Sequence, residues 1–192
     1  MSSAVSQIEI TILDTVFHII GGPYRRLHEI GAPGYYVNMA AEIDLDADIR
    51  IPVLDFSVPQ GDLDEDLMKI LMAGFTGQPI YVGCMGGIGR TGLLIGLLYK
   101  LSLVADEAPS LVVYSDRAVL LTREHFKAHA IETDEQQDFI HGYDISHFDE
   151  FLDSVREIKG LEAPEHPREP RELKFTPPEA PTIWARVKAV FR

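Results

Sequence analysis

Hydrophobic and polar residues alternate near the start of the chain. Between residues 5 and 20 the β-branched residues recur at every second position and then in pairs, a spacing typical of strands. Gly21, Gly22 and Pro23 follow at once, and glycine and proline interrupt regular strand pairing. We therefore expect two strands within residues 5–20, ending before this triplet.

Short apolar segments come next, and longer amphipathic segments follow them. The short segments predict strands at residues 35–39, 49–54 and 80–82. Apolar positions three to four residues apart predict helices at residues 64–75, 93–104, 116–126, 134–141 and 146–159. Residues 111–114 fit a strand or a helix equally well. Strands followed by a strand–turn–helix unit and then mainly helices indicate an α/β fold, with helices covering a central sheet.

The composition changes at residue 160. Six prolines lie among charged residues between positions 160 and 181, which is typical of an extended arm rather than a second core. The chain would then consist of a folded domain over residues 1–159 and a proline-rich arm over residues 160–192. The arm ends in a short basic amphipathic stretch, and we expect it to pack on its own domain or to support self-association.

Charge and composition narrow the class of protein. Of 192 residues, 46% are hydrophobic and 24% charged, as in ordinary globular proteins. The net charge of −13 argues against nucleic acid as a partner.

The start of the chain lacks the pattern of a signal peptide, and no apolar run reaches the roughly 20 residues that a bilayer requires. We expect a cytoplasmic protein without stable membrane association. Its one cysteine excludes a disulfide within the chain.

A glycine-rich segment between the strand at 80–82 and the helix after it has the features of an anion site. Gly86, Gly87 and Gly89 allow successive backbone N–H groups to face one concavity, and the N-terminus of the helix adds partial positive charge. Cys84 begins this segment, where the same groups would stabilise a thiolate. Arg90 ends it, with a planar guanidinium that fits two phosphate oxygens.

The spacing of Cys84 and Arg90, with five residues between them, resembles the cysteine-dependent protein tyrosine phosphatase superfamily. Residues 87–92 resemble the phosphate-binding loop of that family almost letter for letter.

Two further motifs of the family appear in the expected order. Residues 53–59 resemble the general-acid loop, with Asp55 as the acid, and residues 131–136 resemble the glutamine loop, with Gln136 as its glutamine. The resemblance extends roughly over residues 35–142.

The resemblance implies a tyrosine-phosphatase-like domain with a central, mainly parallel sheet and two-step covalent catalysis. Cys84 would attack phosphorus while Asp55 protonates the leaving oxygen, and Gln136 would orient the water of the second step. Arg90 and the loop amides would stabilise the transferring phosphoryl group, and Thr91 would stabilise the departing Cys84. The implied phosphate-binding residues are Met85, Gly86, Gly87, Ile88, Gly89 and Arg90. The family needs neither metal nor cofactor for this reaction.

The chain departs from the family pattern at two positions. Gly83 stands where the family usually has a histidine that supports the thiolate, and Leu54 stands where a proline usually precedes the acid. The length favours a compact dual-specificity type, with a phosphorylated protein or a small phosphomonoester as substrate.

Two alternatives stay open. The first is a catalytically weak pseudophosphatase that only binds phosphate, which Gly83 favours. The second is a dinucleotide-binding oxidoreductase, because glycines at 87, 89 and 92 between a strand and a helix match the dinucleotide fingerprint, with Asp116 24 residues further on. The second alternative leaves Cys84, Arg90 and Asp55 without a role.

Overall fold

The structure of the protein, a computed structural model, describes residues 4–106 and 111–161. In these residues five strands form one sheet: β1 (Ser6–Ile12), β2 (Thr15–Pro23), β3 (Tyr35–Ala40), β4 (Ile49–Val53) and β5 (Ile80–Cys84). The order across the sheet is β1-β2-β5-β3-β4. β1 and β2 pair antiparallel, and the other neighbouring strands pair parallel.

Helices make up most of the rest of the described chain. They are α1 (Tyr24–Ile30), α2 (Asp64–Phe75), α3 (Gly89–Asp106), α4 (Leu111–His125), α5 (Asp134–Gly142) and α6 (Asp149–Lys159), with a 3₁₀ turn at Ser146–Phe148. The predicted α/β class with a central, mainly parallel sheet is confirmed. Residues 111–114, which the sequence left open, belong to α4.

β5 lies at the centre of the sheet, between β2 and β3. All five of its residues are buried, which explains why its sequence is an unbroken apolar run rather than an alternating one. Ligands bind outside the carboxyl ends of parallel strands, and the carboxyl end of β5 is Cys84.

α3 is buried on all sides and forms part of the core. Sixteen of its 18 residues are buried. The helix begins at Gly89, whereas the apolar spacing predicted a start at residue 93. The spacing missed the first turn because that turn contains the polar residues Arg90 and Thr91, although both are buried.

The prediction that the strands end before the triplet at residues 21–23 is wrong. These residues extend β2 and pair in register with Val82, Gly83 and Cys84 of β5. Glycine is needed there for close packing, since a Cβ on Gly21 would lie 2.5 Å from the ring of Phe126. The chain then turns directly into α1, which the sequence analysis did not predict.

Lys100 connects α3 to the C-terminal end of α5. It is 2% exposed, and its ammonium donates hydrogen bonds to the carbonyl oxygens of Ile140, His141 and Tyr143 at 2.7, 3.1 and 2.9 Å. Burial lowers the pKa of Lys100 to about 8, so the side chain stays charged at neutral pH. A cation at this place satisfies carbonyls that a helix end leaves without partners.

The predicted arm falls almost entirely outside the described residues. Only Gly160 and Leu161 are described, and Gly160 adopts the left-handed conformation (φ 67°) that often follows a helix. The division into a domain and an arm therefore stays a prediction. Among the helices of residues 4–106 and 111–161, none is both long and apolar enough to cross a membrane.

Candidate active site

The phosphate loop, which we define as residues 84–90, connects the end of β5 to the first turn of α3. Cys84 is 2% exposed, and its Sγ atom accepts hydrogen bonds from the backbone N–H of Gly87 and the hydroxyl of Thr91, both at 3.2 Å. Donors aimed at sulfur favour the thiolate over the thiol.

Gly87 fixes the shape of the loop. Its φ is +65°, and a Cβ there would lie 2.1 Å from the carbonyl carbon of Gly22 and 2.3 Å from the nitrogen of Pro23. No side chain fits in that space, so the loop rests directly on the backbone at the end of β2. Met85 and Gly86, in contrast, are exposed at the open side of the loop.

Arg90 is buried although it carries a charge. Its Nη1 donates to Glu42 Oε2 at 2.7 Å and to the carbonyl of Val53 at 2.8 Å, and its Nη2 donates to Glu42 Oε1 at 2.7 Å. The hydrogen bond from Arg90 lowers the pKa of Glu42. This two-point pairing fixes the orientation of the guanidinium. Sequence analysis missed Glu42, which lies 48 residues before Arg90.

The acid loop, residues 54–59, follows β4 and reaches the same place. Asp55 Oδ1 lies 2.9 Å from Arg90 Nη2, and 59% of the Asp55 side chain is exposed. The structure thus brings Asp55 together with the phosphate loop. The side chains of Leu54 and Phe56 on either side of it are exposed, and Phe56 adopts a left-handed conformation with φ +58°.

Gln136 lies at the start of α5, where it contacts the acid loop. It is fully buried; its Nε2 donates to the carbonyl of Ser57 at 3.1 Å, and its Oε1 accepts from the N–H of Glu132 at 2.8 Å. Thr133 is the N-cap of α5, since its hydroxyl oxygen accepts from Gln136 N–H at 3.2 Å, and it also donates to the carbonyl of Phe56 at 3.3 Å. The start of α5 therefore holds the acid loop in place.

Two further charged residues lie at the phosphate loop. Lys127 Nζ donates to the carbonyl of Gly87 at 2.6 Å. The carboxylate of Glu132 lies against Gly89, where a Cβ would be 2.2 Å from Glu132 Oε2. Sequence analysis missed both, because Lys127 belongs to no recognisable motif and Glu132 was noted only as part of residues 131–136, without a role of its own.

The remaining predicted phosphate-binding residues form the body of the loop. Ile88 is half-buried, and Gly89, which is buried, begins α3. Within residues 4–106 and 111–161, no group of three or more histidine, cysteine, aspartate or glutamate side chains is arranged to hold a metal ion.

Comparisons with known proteins give structural matches but no sequence matches. No protein-family profile matches the chain, and no curated protein matches it. The crystal structure of Tk-PTP in the active form shares 22% identity, covering 67% of this chain and 91% of that one, with a TM-score of 0.48. Kinase associated phosphatase, in a form whose catalytic-site cysteine is replaced by serine, shares 15% identity over 80% of this chain and 98% of that one, with a TM-score of 0.53. The chain therefore has a fold similar to that of kinase associated phosphatase.

Proposed function

We propose that the protein hydrolyses phosphomonoesters through a cysteinyl-phosphate intermediate, as a protein tyrosine or dual-specificity phosphatase. The observation that supports this most is the meeting of three groups at the N-terminus of α3. The Sγ of Cys84 accepts two hydrogen bonds, and the carboxylate of Asp55 lies 2.9 Å from the guanidinium of Arg90. These are a nucleophile, an acid and an anion-binding group.

In the first step, the Cys84 thiolate would form a bond to phosphorus while the bond to the leaving oxygen breaks. A phosphoryl group in the loop would compete with Asp55 for Arg90, which frees the carboxyl group to move towards the leaving oxygen. Protonated Asp55 would then donate its proton to that oxygen, which takes the electron pair of the broken bond. Arg90 and the loop N–H groups would stabilise the charge on the remaining phosphoryl oxygens.

In the second step, water would attack phosphorus and transfer a proton to ionised Asp55 while the bond to sulfur breaks. The N–H of Gly87 and the hydroxyl of Thr91 already contact Sγ, so they would stabilise the departing thiolate. Gln136 supports this step by holding the acid loop through Ser57. For Gln136 to orient the water itself, its amide must leave the two hydrogen bonds that it makes in this structure.

The surroundings of the loop favour an aromatic phosphate ester on a protein. Leu54, Phe56 and Met85 are 71%, 58% and 45% exposed, and all three belong to the two loops that carry the reacting groups. Exposed apolar side chains around a polar site are suited to the ring of a phosphotyrosine. The loop itself contains no lysine, which argues against a polyanionic substrate.

The test is hydrolysis of p-nitrophenyl phosphate by the wild type, Cys84→Ser and Asp55→Asn. We expect turnover by the wild type that vanadate inhibits, none by Cys84→Ser, and a loss of roughly 10²–10⁴-fold for Asp55→Asn. Absence of turnover by the wild type between about pH 5 and pH 8 would contradict the proposal.

A phosphate-binding protein without catalysis is the second candidate, and Gly83 favours it. A Cβ on Gly83 would lie 2.7 Å from Cα of Tyr24, so the position before Cys84 has no room for the histidine that is usual in the family. Binding of a phosphotyrosine peptide without any turnover of p-nitrophenyl phosphate would support this candidate instead.

A further inference from the structure

Lys127 places a positive charge against the phosphate loop from outside it. The residue lies just after α4, and its ammonium donates to the carbonyl of Gly87 at 2.6 Å. Gly87 is also the residue whose N–H donates to Cys84 Sγ at 3.2 Å. The charge is therefore held at the residue that contacts the sulfur.

The turn after α4 keeps Lys127 in this position. The N–H of Lys127 donates to the carbonyl of Thr122 at 3.3 Å, and its own carbonyl accepts from Ala130 N–H at 2.9 Å. Its ammonium also lies 4.9 Å from the ring centroid of Phe126. Lys127 is half-buried, and charges act more strongly on each other where water is partly excluded.

The strand position next to Cys84 cannot provide such a charge. Gly83 has no side chain. A Cβ added to it would lie 2.7 Å from the Cα of Tyr24 at the start of α1, which is too close for any side chain. A cation that supports the sulfur must therefore come from another element of the fold.

The other charged groups around Cys84 are one guanidinium and three carboxylates, so together they add negative charge near the sulfur. The guanidinium of Arg90 is matched by the carboxylates of Glu42 and Asp55. The carboxylate of Glu132 lies against Gly89 and adds negative charge near the loop. Lys127, in contrast, donates its hydrogen bond to a carbonyl oxygen that carries no net charge. That contact therefore does not neutralise the positive charge of Lys127.

We propose that Lys127 is a positioning residue that stabilises the thiolate of Cys84 electrostatically, in place of a side chain at position 83. Its value for catalysis depends on the proposed function, but its effect on the sulfur does not. Burial lowers the pKa of Lys127, and the charge of Cys84 opposes this shift. Such coupling is reciprocal, so the ammonium favours the thiolate by the same free energy by which the thiolate favours the ammonium.

The experiment measures the rate at which iodoacetamide alkylates Cys84 as a function of pH, without any phosphatase substrate. Because the chain has one cysteine, alkylation reports on Cys84 alone. The variants are Lys127→Met and Lys127→Gln, which remove the charge, and Lys127→Arg, which keeps it. Lys69→Met, which removes a half-exposed lysine of α2, is the matched control.

We expect Lys127→Met and Lys127→Gln to raise the pH midpoint of alkylation by about one unit, equivalent to roughly tenfold slower alkylation below the midpoint. Lys127→Arg and Lys69→Met should keep the wild-type midpoint. An unchanged midpoint in Lys127→Met would overturn the proposal. So would a wild-type midpoint in Lys127→Gln, because a hydrogen-bond donor without charge would then be sufficient.

Circular dichroism of each variant separates an effect on the sulfur from a loss of fold. If Lys127→Met does not fold, the comparison of the alkylation midpoints of Lys127→Gln and Lys127→Arg tests the proposal instead. The outcome is independent of turnover. A shifted midpoint in a protein that hydrolyses no p-nitrophenyl phosphate would uphold this inference while the proposed function fails.

Discussion

The two loops of the candidate site are built in opposite ways. The phosphate loop is packed against the backbone of β2 at Gly87 and is anchored by a buried arginine at its end. The acid loop has three consecutive exposed residues at positions 54–56, and the start of α5 holds it by two hydrogen bonds from side chains.

This difference corresponds to the different tasks of the two loops. Groups that stabilise charge in a transition state are most effective when they need no rearrangement, and the phosphate loop meets this requirement. An acid that must leave Arg90 and reach a leaving oxygen has to move, and loops that move are weakly held. The following substitutions test this comparison.

The largest effect should come from Gly87→Ala, which breaks the close contact of the phosphate loop with β2. A Cβ there would overlap the carbonyl carbon of Gly22 at 2.1 Å, and the φ of +65° is unfavourable for alanine. We expect a loss of roughly 3–5 kcal/mol in the free energy of unfolding, measured with urea.

Gly86→Ala is the matched control for that prediction. It belongs to the same loop, but a Cβ there has no atom within 4 Å. Its stability should stay within about 0.5 kcal/mol of the wild type. Equal losses for the two variants would mean that the contact with β2 does not hold the loop.

Lys100→Met tests the support of the acid loop from the far end of α5. Methionine keeps most of the side-chain volume but leaves three carbonyl oxygens without their donor. We expect the free energy of unfolding to fall by about 2 kcal/mol, since partners lost from buried polar groups are costly. Lys69→Met on α2 should change it by no more than about 0.5 kcal/mol, and a similar loss in both would contradict the role of Lys100.

Glu42→Gln affects the ion pair on which both loops converge. We expect it to cost about 1–2 kcal/mol at neutral pH, a moderate amount because 36% of the Glu42 side chain is exposed. The pKa of Glu42 is lowered in the folded protein, so its contribution is present above the ordinary value of 4.5 and is lost as the pH falls.

The difference in stability between the wild type and Glu42→Gln should therefore shrink as the pH falls below 4.5 and vanish when folded Glu42 is protonated. Urea unfolding at a series of pH values measures it. A difference that is the same at neutral and acidic pH would show that the charge of Glu42 is not what matters.

The smallest effect should come from Thr133→Val, which removes both the N-cap of α5 and the hydrogen bond to Phe56. We expect a loss of about 1 kcal/mol in unfolding free energy. Thr133→Ser keeps the hydroxyl and should retain most of that stability. If the two variants were equally stable, the hydroxyl would not hold the acid loop.

The local parts of the site could be predicted from the sequence, since they lie close together along the chain. Cys84, the glycines and Arg90 follow one another within a single strand–turn–helix unit, so their spacing alone indicates an anion site. Asp55 and the start of α5 required the resemblance to a family, which supplied their order along the chain but not their contacts.

The charged residues that complete the site could not be predicted in this way. Glu42 contacts Arg90 across 48 positions, and Lys127 contacts Gly87 across 40. Glu42 is one of several alternating acidic residues at 42, 44, 46 and 48, so nothing in its local pattern distinguishes it. The order of strands in the sheet brings Glu42, which follows β3, to the loop, and the packing of α4 against α3 brings Lys127 there.

The predicted end of β2 was wrong because glycine and proline serve close packing there rather than a turn. A Cβ on Gly21 would lie 2.5 Å from the ring of Phe126, and one on Gly22 would lie 3.1 Å from the side chain of Val5, so close packing favours glycine at both positions of β2. Pro23 then stands just before α1, where its fixed φ is compatible with the start of a helix. Gly21, Gly22 and Pro23 therefore continue the strand that the sequence analysis expected them to end.

α3 is connected to both loops of the site. Arg90 and Thr91 stand in its first turn, and Lys100 lies about 15 Å further along the same rigid axis, where it holds the C-terminal end of α5. The other end of α5 holds the acid loop. A small displacement of α3 within the core would therefore act on both loops at once, through Arg90 and Thr91 at one end and through Lys100 and α5 at the other.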